Sequence, residues 1–378
     1  MVFPHWHQFF HLAPEQPRPC VAISGGVDSA VAAFLVGEKF SSVEAVHMRT
    51  WHSEDGLGEC PWRDDMESAR AVAEHLRLPF RVESLIEHYG THVVRELIDG
   101  YAAGRTPNPD MLCNRHVKFG ELLRRAKSNG CNLLATGHYC RIEKLNSGEL
   151  ALLRGIDPLK DQSYFMAAVD REALPSIAFP LGELTKKRVR EIAREIGLPN
   201  AERKDSQDIC FLGGKISLRD FLGSYIEESP GEIVSTDGRI LGRHRGLFRH
   251  TIGQRRGLAI PSNADFEKYV VVDKDIKNNR LVVAFESDCS SGLFCNWVEL
   301  NNLNFLCRAI VGRVKLLAET RFRDHPTVVD VTFRGDGTAS VHFEEKQRAL
   351  AEGQTMAFYD GERLLGGGTY AKIGRMRG

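Results

Sequence analysis

Three short stretches of this 378-residue chain place reactive or anion-binding side chains at spacings that suit chemistry. The first is Ser24-Gly25-Gly26-Val27-Asp28-Ser29, which follows the apolar run Cys20 to Ser24 and precedes a helical pattern through Val27, Ala30, Val31, Phe34 and Leu35. Two glycines let the backbone close on an anion, and N–H groups at a helix start favour phosphate. Ser24 and Ser29 can add hydroxyl donors, and Asp28 can hold a metal ion beside a pyrophosphate. No lysine ends this loop, so it is not the GxxxxGKS/T type; a plain glycine turn is the alternative. The second stretch, Gly104 to Asn114, is a proline-braced loop running into a helix. A cysteine near a helix amino-terminus gains thiolate character from the dipole, which gives Cys113 a reason to be reactive. A buried cysteine packing the first turn is the competing role. The third, Asp205 to Phe211, follows the basic pair Arg203-Lys204 and carries Cys210 between polar residues and the anchors Ile209, Phe211 and Leu212. The other seven cysteines lack such a setting, and Cys131, Cys140, Cys295 and Cys307 read as structural.

These stretches need a scaffold. Apolar runs at Val43 to Met48, Phe80 to Glu83 and Asn132 to Thr136 read as strands. They alternate with helical periods at Asp64 to Leu76, around Val93 to Ile98, and at Asn114 to Asn129. Strand and helix in alternation predict a parallel sheet with crossover helices. Thr185 is a candidate N-cap for a helix over Lys186 to Ile196, with Gly197 just past its end. Beyond Leu222 the texture becomes short β-branched runs between turn signals, as at Tyr269 to Val272 and Arg280 to Phe285. From Trp297 the runs Ala309 to Leu316, Val328 to Phe333, Ala339 to Phe343 and Thr355 to Tyr359 predict a small closed β-barrel. The expected architecture is α/β: a Rossmann-like parallel-sheet domain over 19–216, a β-rich domain over 217–293 and a barrel over 294–378, after an extension over 1–18.

Composition narrows the class. Lys plus Arg equals Asp plus Glu, 50 each, so bulk charge alone does not recruit nucleic acid. A local patch has to do that work. Gly238 to Ala264 supplies one, with Arg239, Arg243, Arg245, Arg249, Arg255 and Arg256, two histidines and no acidic residue. A solvated surface loop is the alternative. The nine cysteines form no CxxC pair, so neither a structural zinc site nor a disulfide scaffold is expected, and no set of metal ligands is assigned. Free thiols, the lack of a secretory pattern in Met1 to Cys20 and the lack of an apolar span point to the cytoplasm and to no membrane.

The loop at 24–29 matches the SGGxDS signature of the PP-loop ATP pyrophosphatases, which cleave ATP to AMP and pyrophosphate. Further motifs follow in order: GRTPNPDxxCN at Gly104, ATGHYxR at Ala135, KDQSYF at Lys160, FPLGELTK at Phe179, SxxICF at Ser206 and HTIGQRRGL at His250. Together they resemble the tRNA-specific 2-thiouridylases over all but about the first eighteen residues. The resemblance implies that Ala22, Ile23, Ser24, Gly25, Gly26, Val27, Asp28 and Ser29 line the phosphates of ATP, with Mg2+ expected. Met48 and Gly137 would meet adenine and ribose. It implies Cys113 as nucleophile, Cys210 as persulfide carrier and Asp110 as proton handler, although a loop-stabilising role for Asp110 is nearly as well supported. The implied contacts with a tRNA anticodon loop are Asn108, Pro109, Asp110, His138, Lys160, Asp161 and Gln162, then Arg321, Phe322 and Gln354 in the barrel. The implied reaction is 2-thiolation of the wobble uridine, position 34. The C2 oxygen is adenylated, and sulfur arrives from a sulfur-relay or cysteine desulfurase donor protein. The outer sulfur attacks directly, or Cys113 releases it as sulfide and leaves a Cys113–Cys210 disulfide. Three rivals remain open: an amide ligase on the same loop, a non-catalytic RNA-binding protein, and an iron–sulfur cluster held by Cys113 and Cys210.

Overall fold

A computed structural model of the chain describes residues 16–51, 62–204, 216–258, 260–261, 267–286 and 292–375. Cys210, with the whole Asp205 to Phe211 motif, lies outside the described residues, as does nearly all of the amino-terminal extension. The first domain is built on five parallel strands, β1 (Pro19–Ala22), β2 (Glu44–Arg49), β3 (Phe80–Ser84), β4 (Leu133–Ala135) and, later in the chain, β7 (Ile177–Ala178), in the order β3-β2-β1-β4-β7. Alternate residues of these short strands feed opposite cores. Val21 and Ala45 pack under the helices Val27–Lys39, Trp62–His75 and Lys186–Glu195. Cys20 and Val46 pack under two long helices spanning 86–102 and 109–128. Burial on both faces is the mark of a doubly wound parallel sheet, and its ligands lie where the strand order reverses. That point is β1, between β2 and β4.

Local chemistry sets the helix ends. Thr185 accepts a hydrogen bond from Arg188 N, and Gly197 adopts φ 66° just past the last turn, as the sequence predicts. The helix at 109–128 starts earlier than its apolar period suggests. Asn108 caps it by accepting from Asp110 N and Met111 N, with Pro109 in the first turn. Its middle, Cys113–Leu122, is wound as a π-helix, a geometry that recurs at functional sites.

The second domain is a four-stranded sheet, in which β8 (Gly231–Ser235) pairs with β9 (Ile240–His244) and β11 (Arg280–Phe285), and β10 (Tyr269–Asp275) lies outside β11. The third is the expected barrel, of six strands in the order β12 (Phe294–Phe305), β15 (Ala339–Arg348), β14 (Thr327–Phe333), β13 (Gly312–Glu319), β16 (Thr355–Asp360) and β17 (Arg363–Arg375), closed by β12 on β17. The long β12 and β17 are not legible as strands in the sequence, because glycines and asparagines interrupt their apolar pattern. Nor is the hairpin β5 (Cys140–Lys144) and β6 (Leu150–Arg154), which leaves the first domain to pair with β17. Arg154 anchors this junction, bonded to Asp161 at 2.9 Å and Glu319 at 2.5 Å and stacked 3.7 Å over Tyr359.

Candidate active site

The 24–29 loop leaves β1 at the sheet's carboxyl edge. Ser29 Oγ donates to Gly26 O at 3.0 Å and accepts from Ser24 N at 3.1 Å, which fixes the turn into the helix. Gly25 sits at φ 88°, and a Cβ there would collide with the carbonyl oxygen of Asp65. The Gly25 carbonyl is gripped from three sides, by Asn200 at 2.8 Å, Ser68 at 2.9 Å and Arg203 at 3.2 Å. A loop held this firmly keeps its N–H groups aimed at an anion without a ligand to order them.

Asp28 differs from the expectation. Both of its oxygens bind Lys186 Nζ, at 2.7 and 2.8 Å, and Oδ1 also accepts from Tyr139 OH at 2.8 Å. In this arrangement the Asp28 carboxylate is already engaged, and it becomes free for a Mg2+ ion only if Lys186 turns away from it. The positive charge that the loop's own sequence lacks is supplied instead by Lys186. Its backbone N–H is pinned to Asp157 Oδ2 at 2.8 Å. Among the described residues, no group of three or more His, Cys, Asp and Glu side chains is placed to hold a metal ion.

Ala22 and Ile23 lead from β1 into the loop, Val27 opens the helix that follows, Met48 lies near the end of β2, and Gly137 closes the loop from just beyond β4. A Cβ on Gly137 would lie 2.7 Å from Ser29 N, so only glycine lets the two backbones touch. The next residue, His138, turns toward the cysteine helix. Its Nε2 lies 3.5 Å from Lys118 Nζ and its Nδ1 2.7 Å from Thr136 Oγ1. Lysine only donates, so Nε2 accepts and Nδ1–H donates to the threonine. Burial and the Lys118 charge hold the imidazole well below its usual pKa, and it stays neutral. Lys118, Asn114 and Asp110 recur every four residues along one face of the 109–128 helix. Asp110 keeps solvent access while protein atoms crowd its carboxyl group. That crowding raises its carboxyl pKa, and Lys118 draws it partly back.

Cys113 is buried, 4% exposed, and stands a full turn inside the helix because the helix begins at Pro109. The dipole contribution expected at a helix start fades over that turn. Its neighbour Asn114 donates to Phe165 O at 3.2 Å, and Phe165 packs on Phe322 of the barrel at 4.3 Å between centroids. The loop before the helix is held by both β domains: Thr106 N donates to Glu352 O at 2.7 Å, and Lys274 Nζ to Gly104 O at 3.3 Å. Two buried acceptors here, Asn114 Oδ1 and Gln354 Oε1, have no hydrogen-bond partner among the described residues.

The remaining expected RNA contacts divide. Asp161 receives Gly155 N, Ser163 N, Ser163 Oγ and Arg154, and Gln162 Oε1 receives Tyr139 N. Both side chains therefore order their own loop, on which Lys160 is half-buried and Leu159 80% exposed. Arg321 is bonded to Asp324 at 3.0 Å. In the arginine segment, acids from outside the run reach in. Arg245 and Arg249 bond to Glu228, and Arg255 to Glu286. Arg243 and Arg256 are exposed and form no ion pair with a described residue.

Lys186 and Lys118 are not legible as site residues in the sequence. Each sits in a run that reads as an ordinary helix, and its partner lies 158 or 20 positions away.

A doubly wound sheet with a glycine loop at its switch point, and a cationic side chain beside that loop, defines a PP-loop nucleotide enzyme. A family profile described as a tRNA methyl transferase HUP domain matches residues 18–214, one described as a tRNA methyl transferase PRC-barrel domain matches 219–285, and one described as an aminomethyltransferase beta-barrel domain matches 297–370. The tRNA-specific 2-thiouridylase MnmA of Akkermansia muciniphila is 42% identical over 357 residues, covering 94% of this chain and 99% of that protein. The protein of that name from Bacillus subtilis is 40% identical over 360 residues, 94% and 95% of the two chains. The chain belongs to the tRNA-specific 2-thiouridylase family.

Proposed function

We propose that the chain thiolates C2 of the wobble uridine, position 34, in the anticodon loop of tRNA, using ATP and a persulfide on Cys210. One observation carries this reading. Gly137 touches the nucleotide loop at Ser29, and His138 beside it touches Lys118, five residues along the helix from Cys113. Nucleotide activation and cysteine chemistry thus share one edge of one sheet. The C2 oxygen attacks the α-phosphorus of ATP, and the bond to pyrophosphate breaks. The departing oxyanions lie against the 24–29 N–H groups and the Lys186 ammonium, which can turn from Asp28 to phosphate. The Cys210 outer sulfur then displaces AMP at C2, and Cys113 attacks the Cys210 sulfur, breaking the S–S bond and releasing the thiolated base. Alternatively, Cys113 attacks the Cys210 sulfur first and the sulfide it frees displaces AMP. Either route leaves a Cys113–Cys210 disulfide for an external thiol to reduce. Asp110 handles the proton, its raised pKa suiting that task. A cytoplasmic donor protein supplies the sulfur.

Exposed Arg243 and Arg256 support tRNA as substrate, since neither forms an ion pair with a described residue. An anticodon-loop uridine can be splayed out toward this edge of the sheet without melting a duplex. The test is nucleoside analysis of tRNA after incubation with ATP and a persulfide donor. Wild type yields 2-thiouridine at position 34, whereas Cys210→Ser yields none yet binds tRNA and releases pyrophosphate. Normal thiolation by Cys210→Ser removes the persulfide role.

A further inference from the structure

Lys186 opens the ten-residue helix Lys186–Glu195, and its backbone N–H carries a bond the helix does not need in order to form. Thr185 already caps that helix by accepting from Arg188 N at 3.3 Å, and water can satisfy a first-turn N–H. Yet Asp157 Oδ2 reaches Lys186 N at 2.8 Å from a loop 29 positions earlier. Asp157 also closes its own loop: Oδ1 accepts from Leu159 N at 3.0 Å, and its carbonyl accepts from Lys160 N at 3.0 Å and Asp161 N at 2.8 Å. The ends of the loop are fixed as well. Ile156 N donates to Gly182 O at 2.9 Å, Gly155 N donates to Asp161 Oδ1 at 3.0 Å, and Arg154 ties Asp161 to Glu319 of the barrel. A second line of bonds leaves the same loop for the other partner of Lys186. Gln162 Oε1 accepts from Tyr139 N at 3.1 Å, Gln162 N donates to Tyr139 O at 3.1 Å, and Tyr139 OH donates to Asp28 Oδ1 at 2.8 Å. One rigid loop therefore holds both members of the Asp28–Lys186 pair, Lys186 by its backbone and Asp28 through Tyr139.

We propose that Asp157 is a positioning residue for the nucleotide reaction: it fixes the root of the Lys186 side chain, so that the ammonium swings between Asp28 and the phosphates of ATP about a constant base. The proposal rests on the assignment of Lys186 to the nucleotide. A lysine ammonium ends a long, flexible stem, and ordering it on a phosphate costs side-chain entropy. Anchoring the stem at its first atom leaves fewer arrangements to lose and keeps the ammonium within reach of the reacting phosphate. The Asp157 carboxylate also faces the positive end of the helix, which holds the anchor and the helix start together. Asp157 touches no phosphate itself, and its effect passes through Lys186.

The experiment measures pyrophosphate release by the full-length protein at saturating tRNA with ATP varied. Wild type, Asp157→Ala, Lys186→Met and the double variant are compared, with Tm recorded for each. Asp157→Ala is expected to lower kcat/KM for ATP roughly 10- to 100-fold, the scale of a misplaced catalytic group. In the Lys186→Met background the same substitution is expected to change it by less than about twofold, because no ammonium remains to be positioned. Asp157→Asn keeps one oxygen for the Lys186 N–H and should recover part of the loss; it carries the same comparison where Asp157→Ala melts too low to assay. A loss of equal size in both backgrounds makes Asp157 a structural tie and overturns the proposal. A Lys186→Met protein with unchanged kinetics refutes the nucleotide role of Lys186 and this proposal with it. An impaired Lys186→Met beside an unimpaired Asp157→Ala refutes the role of Asp157 alone.

Discussion

Lys186→Met is the most informative single perturbation of the nucleotide site. The ammonium lies 2.7 and 2.8 Å from the Asp28 oxygens, with its side chain 14% exposed and that of Asp28 31%. At an effective dielectric near 20 the gross attraction at this distance is about 6 kcal/mol, most of it offset by the desolvation of a half-buried pair. The stability cost of the substitution is therefore small, on the order of 1 kcal/mol. The catalytic cost is larger if the ammonium moves to the phosphates. A charge-assisted hydrogen bond is worth roughly 1.5–3 kcal/mol, so kcat/KM for ATP should fall roughly 10- to 150-fold. Pyrophosphate release is measured at saturating tRNA with ATP varied, and Tm is recorded for each variant. Lys186→Arg should recover part of the loss. Asp28→Ala should also lose pyrophosphate release, and combining it with Lys186→Met should cost less than the sum of the two, because the residues act as a unit. A kcat/KM for ATP within twofold of wild type, in a Lys186→Met protein that melts normally, refutes the assignment and leaves the pair a structural tie.

Gly137→Ala places a Cβ 2.7 Å from Ser29 N, so the loop must shift; a loss of about 1–3 kcal/mol in stability and a raised KM for ATP are expected from melting curves and initial rates. Asp110→Asn should lower turnover and alter the pH profile. The carboxyl is raised above the usual carboxylate pKa, so a step in which it donates a proton is favoured below that folded value and declines as pH rises through it. The limb should vanish in the variant, and an unchanged profile would leave Asp110 a loop residue. For the arginine segment, replacing Arg243 and Arg256 with Gln should lower the salt slope of tRNA binding by about 0.7–0.9 for each phosphate no longer neutralised. Replacing Arg245 and Arg255, which already face Glu228 and Glu286, should lower it less. Equal slopes for both pairs would contradict this division.

The parallel sheet, the barrel and the 24–29 loop are legible in the sequence because each rests on short-range rules. Strand and helix periods report which face is buried. Gly25 at φ 88° and the Thr185 cap with Gly197 answer demands set within a few residues. The start of the cysteine helix is also a local matter, yet it is easily misplaced, since Pro107 and Pro109 read as a loop until Asn108 is seen to cap. What the chain order hides is contact between distant residues. That Asp28 faces Lys186, that acids from other segments reach the arginine run, and that Asp161 is consumed by Arg154 and Ser163 are all decided by packing. The same holds for the β5–β6 hairpin joining the barrel. Residue type limits which bonds a side chain can form. Which of them it does form depends on what the folded chain brings within about 3 Å, and that distance is set by tertiary packing.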